Sequence, residues 1–166
     1  MKKRDFDIAF RGLALGQHEF QYDLDDTFFT LFEYSDYRGL RGTAELVMLK
    51  SETVLDLELR FTGTIEVPCD ITNELYTQSL ENSFAMQIKF GDEYNDENEE
   101  LLILPHGNYE FNAGQMIYEL VVLSIPSKLL GPNAGNGIED LIEEEEDETE
   151  EKTDPRWDQL KNLLNK

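Results

Sequence analysis

Apolar and polar residues alternate along most of this chain, which predicts a fold built mainly from β-strands. The longest alternating stretch spans residues 55–67, with aliphatic and aromatic side chains on one face and charged or hydroxyl side chains on the other. Gly63 lies on the apolar face, and because a glycine within a strand often marks a bulge or bend, we expect curvature there. Four shorter strands are predicted at residues 6–10, 20–24, 43–49 and 84–90, and the continuously apolar residues 101–104 predict a fifth.

Two stretches depart from this alternation. Residues 26–34 hold three phenylalanines and a tyrosine without a period of two, which favours a short helix or an irregular aromatic plug. From Asn112, apolar residues recur at helical spacing until Pro126, and Asn112 with Gln115 three residues later fits a capping box. The pattern therefore indicates a mainly β (α+β) fold, a curved antiparallel sheet or partly open barrel with one packed helix.

The formal net charge of −22 is concentrated in two runs. Six acidic residues lie between Asp92 and Glu100 and ten between Glu139 and Glu151, with no basic residue in either run. The rest of the chain carries −6, an ordinary charge for a folded domain. We therefore expect a single globular β-rich domain at 1–131, an acidic flexible linker at 132–153 with too little apolar surface to order itself, and an amphipathic C-terminal segment at 154–166.

The C-terminal segment combines a helix start with an apolar face. Asp154 suits the N-cap and Pro155 the first helical position, and the only tryptophan, Trp157, is followed by leucines at helical spacing. Two interpretations stay open for this short helix. It docks on its own domain, or it is a tethered ligand for a groove on a partner, with the acidic run as an electrostatic lead.

Few residues are suited to catalysis or to cofactor binding. The two histidines, His18 and His106, have no acid and nucleophile placed near them as in a catalytic triad, and the sequence has no glycine-rich phosphate loop. Residues 92–100 lack the glycine and ligand spacing of a calcium loop. We therefore interpret them as a solvated loop, in preference to the alternative that they form a metal-dependent active site. We expect a protein that is not an enzyme and has no cofactor.

Charge and hydropathy limit the partners. Excess acid repels phosphate backbones, which argues against direct binding of naked RNA or DNA and favours a basic protein. The lone cysteine, Cys69, excludes an intramolecular disulfide, and the sequence shows no signal-peptide pattern and no apolar stretch long enough for a transmembrane helix. We expect a cytoplasmic protein with no membrane association.

Several motifs occur in an order typical of one protein family. Residues 154–163 read Asp-Pro-Arg-Trp-x-x-Leu-Lys-x-Leu after an acidic tract, residues 62–70 are a predicted strand that leads into Pro-Cys-Asp, and residues 117–126 are a predicted helix that ends in Ile-Pro. This order resembles the YceD-like family, the large ribosomal RNA subunit accumulation proteins. Residues 16–20 and the Phe28-Phe29 pair are similar to the N-terminal part of Bacteroidetes-type members.

The chain departs from this family at the cysteines. Members commonly carry a Cys-x-x-Cys element, which invites a zinc site. Here Cys69 is followed by Asp70, Ile71 and Thr72, and the chain has no second cysteine. We therefore expect this member to be free of metal.

The resemblance implies a role in ribosome biogenesis, in support of large-subunit ribosomal RNA. Together with the charge, it suggests binding to a basic ribosomal protein or to a large-subunit precursor particle. The candidate partner-binding residues are Glu143, Glu144, Glu145, Glu146, Asp154, Pro155, Arg156, Trp157, Leu160 and Lys161. The alternative is a general protein- or peptide-binding module unconnected to ribosomes, whose β-edge or aromatic face takes an extended segment.

Overall fold

The computed structural model of the protein describes residues 1–98 and 100–135. Most of them belong to two β-sheets and two α-helices. In chain order the elements are β1 (Asp7–Ile8), β2 (Gly16–Asp25), α1 (Asp26–Leu31), β3 (Arg38–Lys50), β4 (Val54–Pro68), β5 (Leu75–Gly91), β6 (Asn95–Asn98), β7 (Leu101–Pro105), β8 (Phe111–Asn112) and α2 (Gly114–Leu123). Two short 3-10 turns, Lys3–Phe6 and Phe10–Gly12, flank β1.

The larger sheet has six strands in the order β2-β3-β4-β5-β7-β6, and β1 pairs with β8 in a separate ribbon. Neighbouring strands of the larger sheet are antiparallel except β5 and β7, which are parallel. The chain leaves β5, forms β6 one strand position away, and returns as β7 between the two. The predicted fold class, mainly β with one packed helix, is confirmed, and the parallel β5–β7 pair is its one departure from the expected antiparallel pattern.

One face of the six-stranded sheet forms the core. The apolar set that alternates along β4 is at most 2% exposed: Leu55, Leu57, Leu59, Phe61, Ile65 and Val67. Helix α2 packs on this face against β4 and β5 through Ile117, Leu120 and Val121. The period of two therefore separates the sheet into a buried face and an opposite face that is left to solvent.

Aromatic side chains join the two helices. Phe28 and Phe29 of α1 are buried, and Phe32 follows directly after the helix. The Phe32 ring stacks on Tyr118 of α2 with the ring centroids 4.7 Å apart and the ring planes at 12°. The predicted short aromatic helix within 26–34 is confirmed, and it contributes packing to the core.

Helix α2 begins close to the predicted position. The N-cap of α2 is Ala113 and not the predicted Asn112, although the Asn112 side-chain oxygen accepts the Gly114 backbone N–H at 2.9 Å. The predicted capping box is wrong in its second half, because the Gln115 amide donates to Glu119 at 2.7 Å instead of reaching back. No helix within the two described ranges is long and apolar enough to cross a membrane.

Three other segments differ from the sequence predictions. Residues 6–10 are two 3-10 turns around a two-residue strand, although Phe6, Ile8 and Phe10 are buried as the alternation required. Strand β5 begins at Leu75, well before the predicted residue 84. Residues 92–100, predicted as a solvated loop, contain the short strand β6.

Gly63 lies directly opposite Gly42, and the ring of Phe61 covers both. A Cβ atom at Gly63 would lie 2.7 Å from the Arg41 carbonyl oxygen and 2.7 Å from the Phe61 ring. Pairing of β3 with β4 continues through the two glycines, and the register shift lies between Arg38 and Arg41 on β3. No bulge lies at Gly63, which leaves room for the Phe61 ring.

Candidate protein-interaction surface

The face of the sheet opposite the core, here called the outer face, is polar and acidic. The strand pairing places Gln21, Glu45, Arg60 and Ser83 side by side across β2 to β5, and equivalent rows lie on either side of it. Eight carboxylates lie on this face: Glu19, Asp23, Asp25, Glu45, Asp56, Glu58, Glu66 and Glu81. Four bases lie there, Arg38, Arg41, Arg60 and Lys89, so carboxylates outnumber bases two to one.

Ion pairing neutralises little of this charge. Within the part of the chain that the structure describes, the single ion pair joins Arg60 to Glu58 at 3.6 Å, and both side chains are 59% exposed. An exposed pair of this kind contributes about 0–1 kcal/mol to stability. Asp56 accepts the Gln87 amide at 2.7 Å, which leaves its charge in place. The outer face therefore keeps a negative potential toward solvent.

A second exposed feature is the open side of β5. This strand pairs with β4 along its length, but β7 pairs only with residues from Gln87 to Gly91. Among residues 1–98 and 100–135, no strand pairs with the other side of residues 75–86. We call this backbone edge the β5 edge, and unpaired edges of this kind can accept an added strand.

Cys69 lies in the turn between β4 and β5 and is 2% exposed. Hydrogen bonds from the Thr72 N–H and hydroxyl, and from the N–H groups of Gly131 and Ile71, lower the pKa of the Cys69 thiol to about 7. The turn is also tied to the segment after α2, because Asp70 accepts the Leu129 N–H at 2.7 Å and donates its own N–H to the Leu129 oxygen at 2.8 Å.

The residues around Cys69 do not fit a zinc ion. Structural zinc sites use four thiolate or imidazole ligands, whereas Thr72 stands where the family pattern has its second cysteine. No group of three or more histidine, cysteine, aspartate or glutamate side chains comes together within the described ranges. Hydrogen bonds, and not metal ligands, surround the Cys69 sulfur.

The two histidines occupy separate structural positions. His18 Nε2 lies 2.8 Å from the Ala14 oxygen at the start of β2. His106 lines a cavity of ≈ 370 Å³ that also includes Lys50. The Lys50 ammonium donates to the carbonyl oxygens of Phe10 at 2.8 Å and Leu13 at 2.6 Å, so it holds the 3-10 turn in place.

The partner-binding residues predicted from the sequence lie outside the described residues: Glu143, Glu144, Glu145, Glu146, Asp154, Pro155, Arg156, Trp157, Leu160 and Lys161. The predicted amphipathic segment at 154–166 and most of the predicted linker at 132–153 lie outside them as well. Their role stays a prediction.

Sequence reasoning did not identify the outer face, and it named a β-edge as an alternative binding site without locating it on β5. The alternation already placed the polar residues of 55–67 on one face, so the outer face could have been inferred from it. The β5 edge left a weaker signal, since Gln78 and Asn82 stand at positions that would be apolar in a central strand. That signal has no meaning until the pairing of β5 is known.

The fold and its surfaces define a mainly β protein with an open, acidic sheet face. Residues 57–164 match the family described as Large ribosomal RNA subunit accumulation protein YceD. This match spans well over half of the chain, and the protein therefore belongs to the YceD family. A search of curated proteins and a search of solved structures each gave no match. The family description implies a role in large-subunit ribosomal RNA accumulation and names no enzymatic activity.

Proposed function

We propose that this protein is a non-catalytic ribosome-biogenesis factor that binds a basic ribosomal protein, free or within a large-subunit precursor particle. By holding such a protein, it supports the accumulation of large-subunit ribosomal RNA. The acidic residues 143–146 and the segment 154–161 assist by attracting and contacting the same partner. The family assignment supports the ribosomal setting.

The observation that carries this proposal is the charge of the outer face. Eight carboxylates against four bases make a surface that attracts lysine- and arginine-rich proteins. The same field opposes RNA, because a nucleic-acid binder must replace counterions with its own basic side chains. A protein partner therefore explains how an acidic chain acts on the abundance of an RNA.

The test is an affinity pull-down with the full chain from native lysate, at about 50 mM and about 200 mM salt, a range over which screening strengthens. We expect enrichment of a basic ribosomal protein or of large-subunit precursor particles at the lower salt and less at the higher. Recovery of no ribosomal component at either salt would refute the proposal.

Two charge variants locate the binding surface. The first neutralises three outer-face carboxylates: Glu19→Gln, Glu45→Gln and Glu81→Gln. The matched control removes the same charge from loops away from that face: Glu52→Gln, Glu93→Gln and Glu110→Gln. We expect the first variant to lose ribosomal material and the control to keep it. Equal loss in both would mean that net charge, and not the outer face, determines binding.

A second candidate function is a general peptide-binding module unconnected to ribosomes. The β5 edge favours it, because an unpaired edge can bind any extended segment. The ribosomal fraction separates the two functions. A general module would enrich proteins that are not accompanied by large-subunit components. The proposed factor would enrich its protein partner together with large-subunit components.

A further inference from the structure

The direction of the backbone groups on the β5 edge follows from the strand pairing. The Gln87 N–H donates to the Glu100 oxygen at 2.8 Å, so the backbone groups of Gln87 point away from β4. The β4–β5 register runs from Leu75 to Lys89 without a shift. Since alternate residues of an antiparallel strand point to opposite sides, the outward N–H and C=O groups are those of Thr77, Ser79, Glu81, Ser83 and Ala85.

Two of these outward groups are held by amide side chains of the same strand. The Asn82 side-chain oxygen accepts the Ser83 N–H at 2.9 Å, and the Gln78 amide donates to the Ser79 oxygen at 2.8 Å. The Tyr76 hydroxyl donates to the Gln78 side-chain oxygen at 3.1 Å and orients that amide. These side chains occupy the places that a neighbouring strand's peptide groups would take.

Acidic residues stand at both ends and in the middle of the edge. Glu74 directly precedes β5, Glu81 lies at its centre on the outer face, and Glu100 lies where β7 takes over the pairing. Residues 75–86 contain no lysine, arginine or histidine. An extended segment lying along this edge would therefore meet a carboxylate near each end and one at the centre, which suits lysine and arginine side chains.

We propose that the β5 edge binds an extended, lysine- and arginine-rich segment of a partner protein as an added β-strand. The incoming backbone bonds to the five outward residues and displaces the Gln78 and Asn82 amides, while its basic side chains lie beside Glu74, Glu81 and Glu100. The expected charge of the segment rests on the proposed function, whereas its extended form follows from the edge itself.

The first test measures amide exchange in the full chain, free and with a synthetic peptide of about ten residues, the usual upper length of a strand, that alternates lysine and valine. In the free chain, the N–H groups of Thr77, Ser79, Glu81 and Ala85 should exchange quickly and those of the residues between them slowly. Adding the peptide should slow the fast set. Slow exchange of that set without peptide would mean that the chain covers its own edge, for example with residues 136–166, and would overturn the proposal.

A control peptide separates strand pairing from charge attraction. It has the same sequence with alternate backbone nitrogens methylated, so it keeps its charge and loses the donors of one edge. We expect it to bind at least about tenfold more weakly. Equal binding of the two peptides would show that charge alone holds them, which contradicts an added strand.

A variant tests the same edge from the protein side. Ser83→Pro removes an outward N–H and leaves the bonds to β4 intact, and proline is tolerated where a strand's N–H faces solvent. Ser83→Ala keeps the N–H and is the matched control. We expect Ser83→Pro to lose about tenfold or more in affinity for the lysine–valine peptide and Ser83→Ala to lose little. If Ser83→Pro does not fold, the methylated peptide decides the question alone.

The results also separate this proposal from the proposed function. If Ser83→Pro captures large-subunit components at the level of the unmodified chain, the ribosomal role stands and the proposal that the β5 edge binds the partner is overturned. Peptide binding at the edge without ribosomal capture would support the edge and refute the ribosomal role. The substitution Glu81→Gln should weaken binding of the lysine–valine peptide. Glu19→Gln, on β2 at the far side of the sheet, should leave that binding unchanged.

Discussion

At the scale of single residues, Cys69 shows how hydrogen bonds can shape a turn that resembles a metal-binding element. Hydrogen bonds from Thr72, Gly131 and Ile71 lower the pKa of its thiol. They join the β4–β5 turn to the segment after α2, beside the Asp70–Leu129 hydrogen bonds. The sequence identified the missing second cysteine but not this arrangement, because Gly131 is distant in sequence from Cys69.

The Cys69 thiol should ionise at unusually low pH. Its pKa is lowered from 9.0 to about 7, so between these values the folded chain is deprotonated while the unfolded chain still binds the proton. Stability should therefore rise as pH increases from about 7 to about 9. Thiolate absorbance of the full chain, which has one cysteine, should show a midpoint near 7, and the same titration in denaturant should return it to 9.0. A midpoint above 8 in the folded chain would contradict this environment.

At the scale of elements, the facing pair Gly42 and Gly63 makes a testable packing site. Gly63→Ala should destabilise the protein by about 1–3 kcal/mol, because the new methyl group meets the Phe61 ring and the Arg41 carbonyl. Thermal unfolding should show a midpoint lower by roughly 3 °C or more. Gly12→Ala is the control, since a Cβ there meets nothing within 4 Å. Equal midpoints for the two variants would show that β3 and β4 move apart to admit the methyl group without any loss of stability.

Sequence patterns predicted some elements well and missed others for identifiable reasons. Strands β3 and β4 were predicted because each buries one complete face, so alternation survives in the sequence. The first half of β5 was missed because Gln78 and Asn82 interrupt its apolar face at the open edge. Likewise, β6 was hidden in an acidic run because all four of its residues are exposed. Alternation reports burial, and in β5 and β6 it weakens where the strand is exposed at an edge.

At the scale of the whole molecule, charge and topology place the two exposed features on one sheet. The outer face is negative across β2 to β5, and the β5 edge borders it. A basic segment attracted to the face would therefore be brought beside the backbone groups that can bind it. Neither feature followed from composition, because the sequence located most of the excess charge in the runs at 92–100 and 139–151.

The acidic run at 143–148 should set the salt dependence of partner binding. Replacing Glu143, Glu144, Glu145, Glu146 and Glu148 by glutamine and Asp147 by asparagine removes six charges, so binding should weaken at about 50 mM salt and change little on going to about 200 mM. Affinity for the captured ribosomal protein at both salts measures this, and the three-residue loop control defines the effect of net charge. If the variant keeps the salt dependence of the unmodified chain, the run has no part in binding. The outer face would then account for the attraction alone, because its carboxylates are unchanged in this variant.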